Sequence, residues 1–227
     1  MVNPGLLAKV AQKLDPLGLN YAFVGGSIVE FLLDRPDLSP MRPTFDLDII
    51  VEVMANRRYS DLEAILRQAG FEHDMTPGAP RCRWRFDGLI VDVMPTEDAL
   101  LGINTAWFAE ALATAKPRRL LGVDVPMISA VAFLATKLAA FADRGEGDYY
   151  GSHDLEDIIT VIDGRGALVA EIDDAAPGLR GYVVAKIKAL DVEPAFQEAL
   201  AGHLPSDDAS QNRLPMLRRR LASIGAL

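Results

Sequence analysis

Two aspartates one residue apart, Asp46 and Asp48, stand in an otherwise apolar run, DLDIIVEV over residues 46–53. Packing gives no reason for them. Side chains two apart in a strand point the same way, so the pair shares a face with Ile50 and Glu52, while Leu47, Ile49, Val51 and Val53 share the other. At that separation the charges repel by roughly 1 kcal/mol in water and about 4 kcal/mol at an intermediate dielectric. A divalent cation removes this penalty. Asp92 lies in a second apolar stretch, Ile90-Val91-Asp92-Val93, and a hairpin there brings it beside the first two. Three carboxylates with no His or Cys nearby select hard, oxygen-seeking ions such as Mg²⁺ or Mn²⁺. On a solvent-facing sheet edge the same aspartates would be ordinary, and Glu52, farther along, reads as solvated.

Gly25-Gly26-Ser27 follows a β-type run, Tyr21–Val24, and precedes a helical pattern. Amide groups there can meet phosphate oxygens, and the missing side chains let a triphosphate come close. A Gly-Gly turn also serves simply to reverse a chain. Its weight comes from the aspartates, because phosphates and a carboxylate-bound cation are complementary halves of one nucleotide site. Farther on, Lys137 sits among Val131, Leu134, Leu138 and Phe141, either as a triphosphate contact or as a lysine snorkelling to solvent. Arg144 is spaced to pair with Asp154 or Asp157, as a support for Lys137, a nucleotide contact or a structural bridge; Asp154 also suits the first turn of a helix capped by Ser152.

The elements that position these groups follow from periodicity and turn chemistry. A helix is expected over Leu6–Leu14 and a strand over Tyr21–Val24. Ser27 should cap a helix over Ile28–Leu33, and Pro36, Pro40 and Pro43 impose a loop. After the aspartate strand, residues 59–69 form an amphipathic helix stopped by Gly70. Strands Arg81–Phe86 and Leu89–Met94 flank Asp87-Gly88, a strong hairpin signal. Beyond Pro126 the pattern is helical only, with Ser129 capping Ala130–Ala142, a helix over His153–Ile162, and others near 178–190, 194–202 and 213–223. The fold class is α+β: residues 1–128 form a small mixed sheet with flanking helices, and 129–227 a helical domain packed on it.

Composition limits the alternatives. The chain has 227 residues, half of them hydrophobic, and a formal charge of −9, from 13 basic and 17 acidic residues in 1–128 and 10 and 15 in the rest. Bulk electrostatic attraction to nucleic acid is thereby excluded, and any RNA contact must be local. A single cysteine, Cys82, rules out an intramolecular disulfide and any Cys-based zinc site, and His73, His153 and His203 are scattered. No apolar run suggests a membrane span, and the N-terminus lacks a secretory signal, so a cytoplasmic location is expected. Arg81, Arg83 and Arg85 alternate along one strand face, with Arg118-Arg119 and Arg218-Arg219-Arg220 elsewhere. They are landing points for an RNA backbone or, as often, solvated charge that guards sheet edges.

In combination these residues resemble a known family. Gly25-Gly26-Ser27, Arg42-Pro43-Thr44-Phe45-Asp46-Leu47-Asp48 and Asp92 look like the nucleotidyltransferase superfamily of the DNA polymerase beta type. Lys137 to Arg144, followed by Ser152-His153-Asp154-Leu155-Glu156-Asp157, is similar to the helical motif of its AbiEii-like branch, known as toxins of bacterial toxin–antitoxin and abortive-infection systems. The likeness spans residues 21 to about 163. Two departures stand out: eighteen residues separate Ser27 from Asp46, more than the usual spacing, and His153 holds a position that is often basic. The resemblance implies two Mg²⁺ ions, or Mn²⁺, about 3.5–4 Å apart. Asp46 and Asp48 would ligate both, and Asp92 the catalytic one, with Asp92 also a base for the attacking hydroxyl. It further implies nucleotide contacts from Gly25, Gly26, Ser27, Thr44, Lys137, Arg144, Asp154 and Asp157, with Lys137 counted among the catalytic groups. The reaction implied moves an NMP from an NTP such as ATP to an acceptor hydroxyl, foremost the 3′ end of tRNA gripped at its acceptor stem, with a cognate antitoxin as partner. A small aminoglycoside-type acceptor, a protein hydroxyl, or a non-catalytic nucleotide-binding role on the same fold are the alternatives.

Overall fold

A computed structural model describes residues 3–36, 44–52, 59–97, 101–145 and 147–227. Arg42, Pro40, Pro43 and Val53, which figure in the sequence reading, lie outside them. The chain divides into two compact units, Met1–Ile28 with Pro43–Ser129, and Val29–Arg42 with Ala130–Leu227.

The first unit is built on a seven-stranded mixed sheet. Its strands are β1 (Tyr21–Val24), β2 (Asp46–Val51), β3 (Glu72–His73), β4 (Arg83–Phe86), β5 (Leu89–Pro95), β6 (Lys116–Leu120) and β7 (Val123–Met127), in spatial order β3-β4-β5-β2-β1-β7-β6. β2 runs antiparallel to β1 and parallel to β5, and β5 returns antiparallel to β4. Alternation along the strands sorts their side chains. Leu47, Ile49 and Val51, with Val91, Val93 and Trp84, are at most 1% exposed. Asp46, Asp48, Asp92, Arg83 and Arg85 fall on the opposite face of the pleat. Helix α1 (Pro4–Leu14) packs on β7 and buries Leu7, Val10, Ala11 and Leu14. Asn3 caps it, its side-chain oxygen accepting from the amides of Gly5 and Leu6.

One strand starts later than the sequence expectation and one hairpin is additional to it. The expected strand over Arg81–Phe86 begins at Arg83, because residues 81 and 82 form a turn closed by the Arg83 amide donating to the Pro80 carbonyl. The hairpin β6–β7 was not foreseen. Its turn holds Leu121 in the left-handed region at φ 48°, beside Gly122, a pairing with little sequence signature. β6 lies at the sheet edge with Lys116, Arg118 and Arg119 exposed, and Arg119 pairs across the strands with Asp124 at 3.0 Å. That is how charged edges resist strand addition.

The second unit is helical: α2 (Val29–Leu32), α5 (Ala130–Arg144), α6 (His153–Gly164), α7 (Leu168–Asp173), α8 (Pro177–Asp191), α9 (Pro194–Ala199), α10 (Asp208–Gln211) and α11 (Leu214–Gly225). The intervening α3 (Tyr59–Gln68) and α4 (Phe108–Ala113) belong to the first unit. α5, α6, α8 and α11 pack on one another and bury Leu134, Leu138, Ile158, Ile162, Val183, Ile187, Leu217 and Leu221. Arg220 donates to the carbonyls of Ile162 and Asp163 at the end of α6, which accounts for one member of the Arg218–Arg220 run as a C-terminal cap. Among the described residues, no helix is long and apolar enough to cross a membrane.

Candidate active site

The site starts from strand register. Val24 lies opposite Asp48, Asp48 opposite Asp92, and Asp92 opposite Arg83. The last three therefore stand in one row across β2, β5 and β4, on one face of the sheet. Asp46, two residues before Asp48, shares that face. The sequence expected Asp92 beside the DxD pair; it arrives through the parallel β2–β5 pairing, while its own hairpin partner is β4.

Arg83, which the sequence suggested as an RNA contact or as solvated edge charge, is instead turned onto the carboxylates and part-buried. Its Nε donates to Asp92 Oδ1 at 2.9 Å and its Nη2 to Asp92 Oδ2 at 2.7 Å, a bidentate fork. The same Nη2 reaches Asp46 Oδ2 at 3.4 Å. The hydrogen bonds to Asp92 hold the guanidinium protonated above its ordinary value. A signal for this pair was present in the sequence. Asp87 and Gly88 both have positive φ, at 49° and 77°, so they make a two-residue turn, and counting outward from Phe86 opposite Leu89 sets Arg83 against Asp92. Arg85 is drawn off to Asp74 at 3.1 Å and to the Thr76 hydroxyl at 3.4 Å.

The glycine turn meets the carboxylates directly. Gly25 has φ +70°, and a Cβ there would lie 2.0 Å from Asp48 Oδ2. Only glycine satisfies both the backbone conformation and the close approach. Gly25→Ala is accordingly expected to cost about 1–3 kcal/mol of stability, read as a lower urea midpoint; an unchanged midpoint would mean that the turn relaxes freely. Ser27 departs from expectation. Its hydroxyl donates to the Val24 carbonyl at 3.1 Å instead of capping, and the expected helix Ile28–Leu33 becomes a 3₁₀ turn, Gly26–Ile28, followed by the single turn α2. Thr44 is buried just before β2, while Phe45 beside it is 69% exposed. Glu52 is exposed as expected and accepts from Asn20 at 2.8 Å. Burial pushes the Cys82 thiol up to about 12, with Asp92 and Asp48 adding to the effect, so this thiol stays protonated beside the carboxylates at neutral pH.

The second unit gathers the other predicted residues. Lys137 Nζ lies 3.0 Å from Asp154 Oδ1 and 2.7 Å from Asp157 Oδ2. Arg144 forks Asp154 with two bonds of 2.8 Å. The side chains of Lys137, Asp154 and Asp157 are 11%, 6% and 8% exposed, against 68% for Arg144. Two cations thus balance two carboxylates, with the ammonium inside and a guanidinium at the surface. Ser152 caps α6 as expected, accepting from the Leu155 amide.

The carboxylates of the first unit suit a hard divalent cation by their chemistry, all oxygen donors on one face. Among the described residues, no group of three or more His, Cys, Asp or Glu is arranged to hold a metal ion as it stands. Instead a positive nitrogen, Arg83 Nη2, is within reach of both Asp92 and Asp46.

No protein-family model and no curated protein matches the sequence. Among solved structures, the chain is similar to an antigenic nucleotidyltransferase-like protein from Paracoccidioides brasiliensis, at a TM-score of 0.51 and 22% identity, covering 97% of this chain and 92% of that one. At that identity the likeness establishes a nucleotidyltransferase-like fold. The antibiotic-resistance factor ANT(2'')-Ia aligns over 83% of this chain and 94% of its own at a TM-score of 0.48 and 21% identity, too distant to add to it.

Proposed function

We propose that the chain is a metal-dependent nucleotidyltransferase that moves an NMP from an NTP to an acceptor hydroxyl. The observation that carries this reading is the row Asp48–Asp92 in register across β2 and β5, with Asp46 on the same face and Gly25 packed against Asp48. A pure binding module has no use for three carboxylates so costly to hold together. Two Mg²⁺ or Mn²⁺ ions, when bound, would polarise the α-phosphate and neutralise the charge of the leaving pyrophosphate. Asp46 and Asp48 would hold these ions, and Asp92 the catalytic one. The Gly25-Gly26-Ser27 turn supplies space and backbone amides for the phosphates. Asp92 would also accept the hydroxyl proton; both its oxygens already accept from Arg83, so that role waits on the guanidinium's withdrawal. Lys137, with Arg144, Asp154 and Asp157, is assigned to the nucleotide as the AbiEii resemblance has it, Arg144 offering the exposed positive group.

That resemblance favours the 3′ end of tRNA as acceptor, in a toxin restrained by an antitoxin. A second reading, a small cationic acceptor of the aminoglycoside kind, is favoured by the charge of −9 and by the charges of Arg83 and Arg85 being matched by Asp92 and Asp74. Incubation with Mg²⁺, each α-labelled NTP and either total tRNA or an aminoglycoside separates them. Label on tRNA supports the first reading, label on the aminoglycoside alone supports the second, and label on neither counts against both.

A further inference from the structure

We propose that Arg83 is a built-in competitor for the divalent cation, holding Asp92 and Asp46 in the metal-free chain and leaving them when a cation loads. The inference rests on the metal-dependent reading above. Its ground is the identity of the oxygens involved. Arg83 takes both oxygens of Asp92, at 2.9 and 2.7 Å, and its Nη2 extends to Asp46 at 3.4 Å. A Mg²⁺ or Mn²⁺ ion needs these carboxylates at a much shorter distance, and a dication and a guanidinium repel when they share ligands.

The surroundings allow the exchange. The Arg83 side chain is 24% exposed whereas that of Asp92 is 10% exposed, so the guanidinium has a way out to solvent and the carboxylate stays in place. Asp48 and Asp92 face each other across the strands with Asp46 on the same face, and Arg83 brings positive charge to Asp92 and Asp46. The device keeps the carboxylates arranged before metal arrives and weakens metal binding in return. Arg85, on the same face, makes no such claim, since it is engaged by Asp74 and Thr76.

The test is a Mn²⁺ titration of the full chain, followed by the electron paramagnetic resonance of free Mn²⁺, for wild type, Arg83→Gln, Arg83→Lys and Arg85→Gln. Arg83→Gln is expected to bind Mn²⁺ about tenfold more tightly than wild type and, in EDTA, to unfold at lower urea. Arg83→Lys keeps the charge but loses the fork, and should fall between the two; it decides the matter if the Gln variant does not fold. Arg85→Gln, which removes the same charge from the same face, should leave the affinity within twofold. Wild-type binding that is unchanged or weakened by the Arg83 substitutions overturns the proposal and leaves the metal reading standing. An absence of Mn²⁺ binding in wild type and variants alike overturns both.

Discussion

Asp48→Asn is expected to lower nucleotidyl transfer by at least about 10³-fold, equivalent to some 4 kcal/mol of transition-state stabilisation. The substitution preserves side-chain shape, so the contact with Gly25, where no Cβ fits, survives. What it removes is the charge that would hold the cation. It also removes repulsion from Asp92 directly opposite, so the melting temperature should stay the same or rise. That combination matters, because a loss of activity with a loss of stability would point to a damaged fold. NTP binding without metal should persist or strengthen, since a negative charge has left the neighbourhood of the triphosphate. A steady-state assay beside a thermal melt and a metal-free binding titration reads all three. Retained transfer in a well-folded Asp48→Asn protein would remove Asp48 from the chemistry.

Lys137→Met should destabilise the protein by about 3–5 kcal/mol. Its ammonium stands between Asp154 and Asp157, both buried, and removal strands Asp157 without this counter-ion while Asp154 keeps Arg144. Burial opposes the charge on Lys137, but the two carboxylates outweigh it and hold its pKa above 10.5. Burial likewise opposes ionisation of Asp154, and Arg144 with Lys137 holds it below 3.8. The signs follow from linkage. Asp154, lowered on folding, contributes stability that is present above its unfolded value near 3.8 and is lost as pH falls toward its folded value. Lys137, raised on folding, contributes stability that is present below about 10.5 and is lost as pH climbs past its folded value. Urea unfolding from pH 3 to 11 should show the acid loss setting in below about 3.8 and the alkaline loss setting in above about 10.5 in wild type. In Lys137→Met the alkaline loss should vanish, and an alkaline limb that persists unchanged would assign it to another group.

The parts of the site legible in the sequence were those governed by short-range rules. Period-two alternation placed Asp46 and Asp48 on one face and Asp87-Gly88 set the β4–β5 hairpin; both are borne out. That Gly25 adopts a positive φ and leaves its Cβ space to Asp48 had no mark in the Gly-Gly pair itself. The fold class followed from the change in periodicity near Pro126 and holds in the α+β architecture. The parallel pairing of β2 with β5 is a long-range contact with no local signature, and it is what sets Asp48 against Asp92. The β6–β7 hairpin escaped notice because Pro117 and Pro126 interrupt its strands and Leu121 occupies a turn position that usually takes glycine or asparagine. Ser27 was read as a helix cap because serine favours that position, but its hydroxyl turns back to Val24. In the helical part, Lys137 among apolar neighbours was ambiguous by composition, since its two carboxylate partners come from α6, seventeen and twenty residues on. The association of α2 with α6, through the Asp34 amide on the Gly164 carbonyl and Arg165 on the Leu32 carbonyl, likewise has no mark in either segment alone.

The measurement that bears most directly on nucleotidyl transfer is the fate of the two ends of the triphosphate. NTPs labelled at the α- or the γ-phosphate are incubated with the protein, Mg²⁺, total tRNA and an aminoglycoside, beside Asp48→Asn. Transfer of an NMP predicts α-label covalently on an acceptor and γ-label in pyrophosphate, both lost in the variant. Release of γ-label as free phosphate, with the α-label left on a nucleoside diphosphate and no acceptor marked, would contradict it and identify a phosphohydrolase instead.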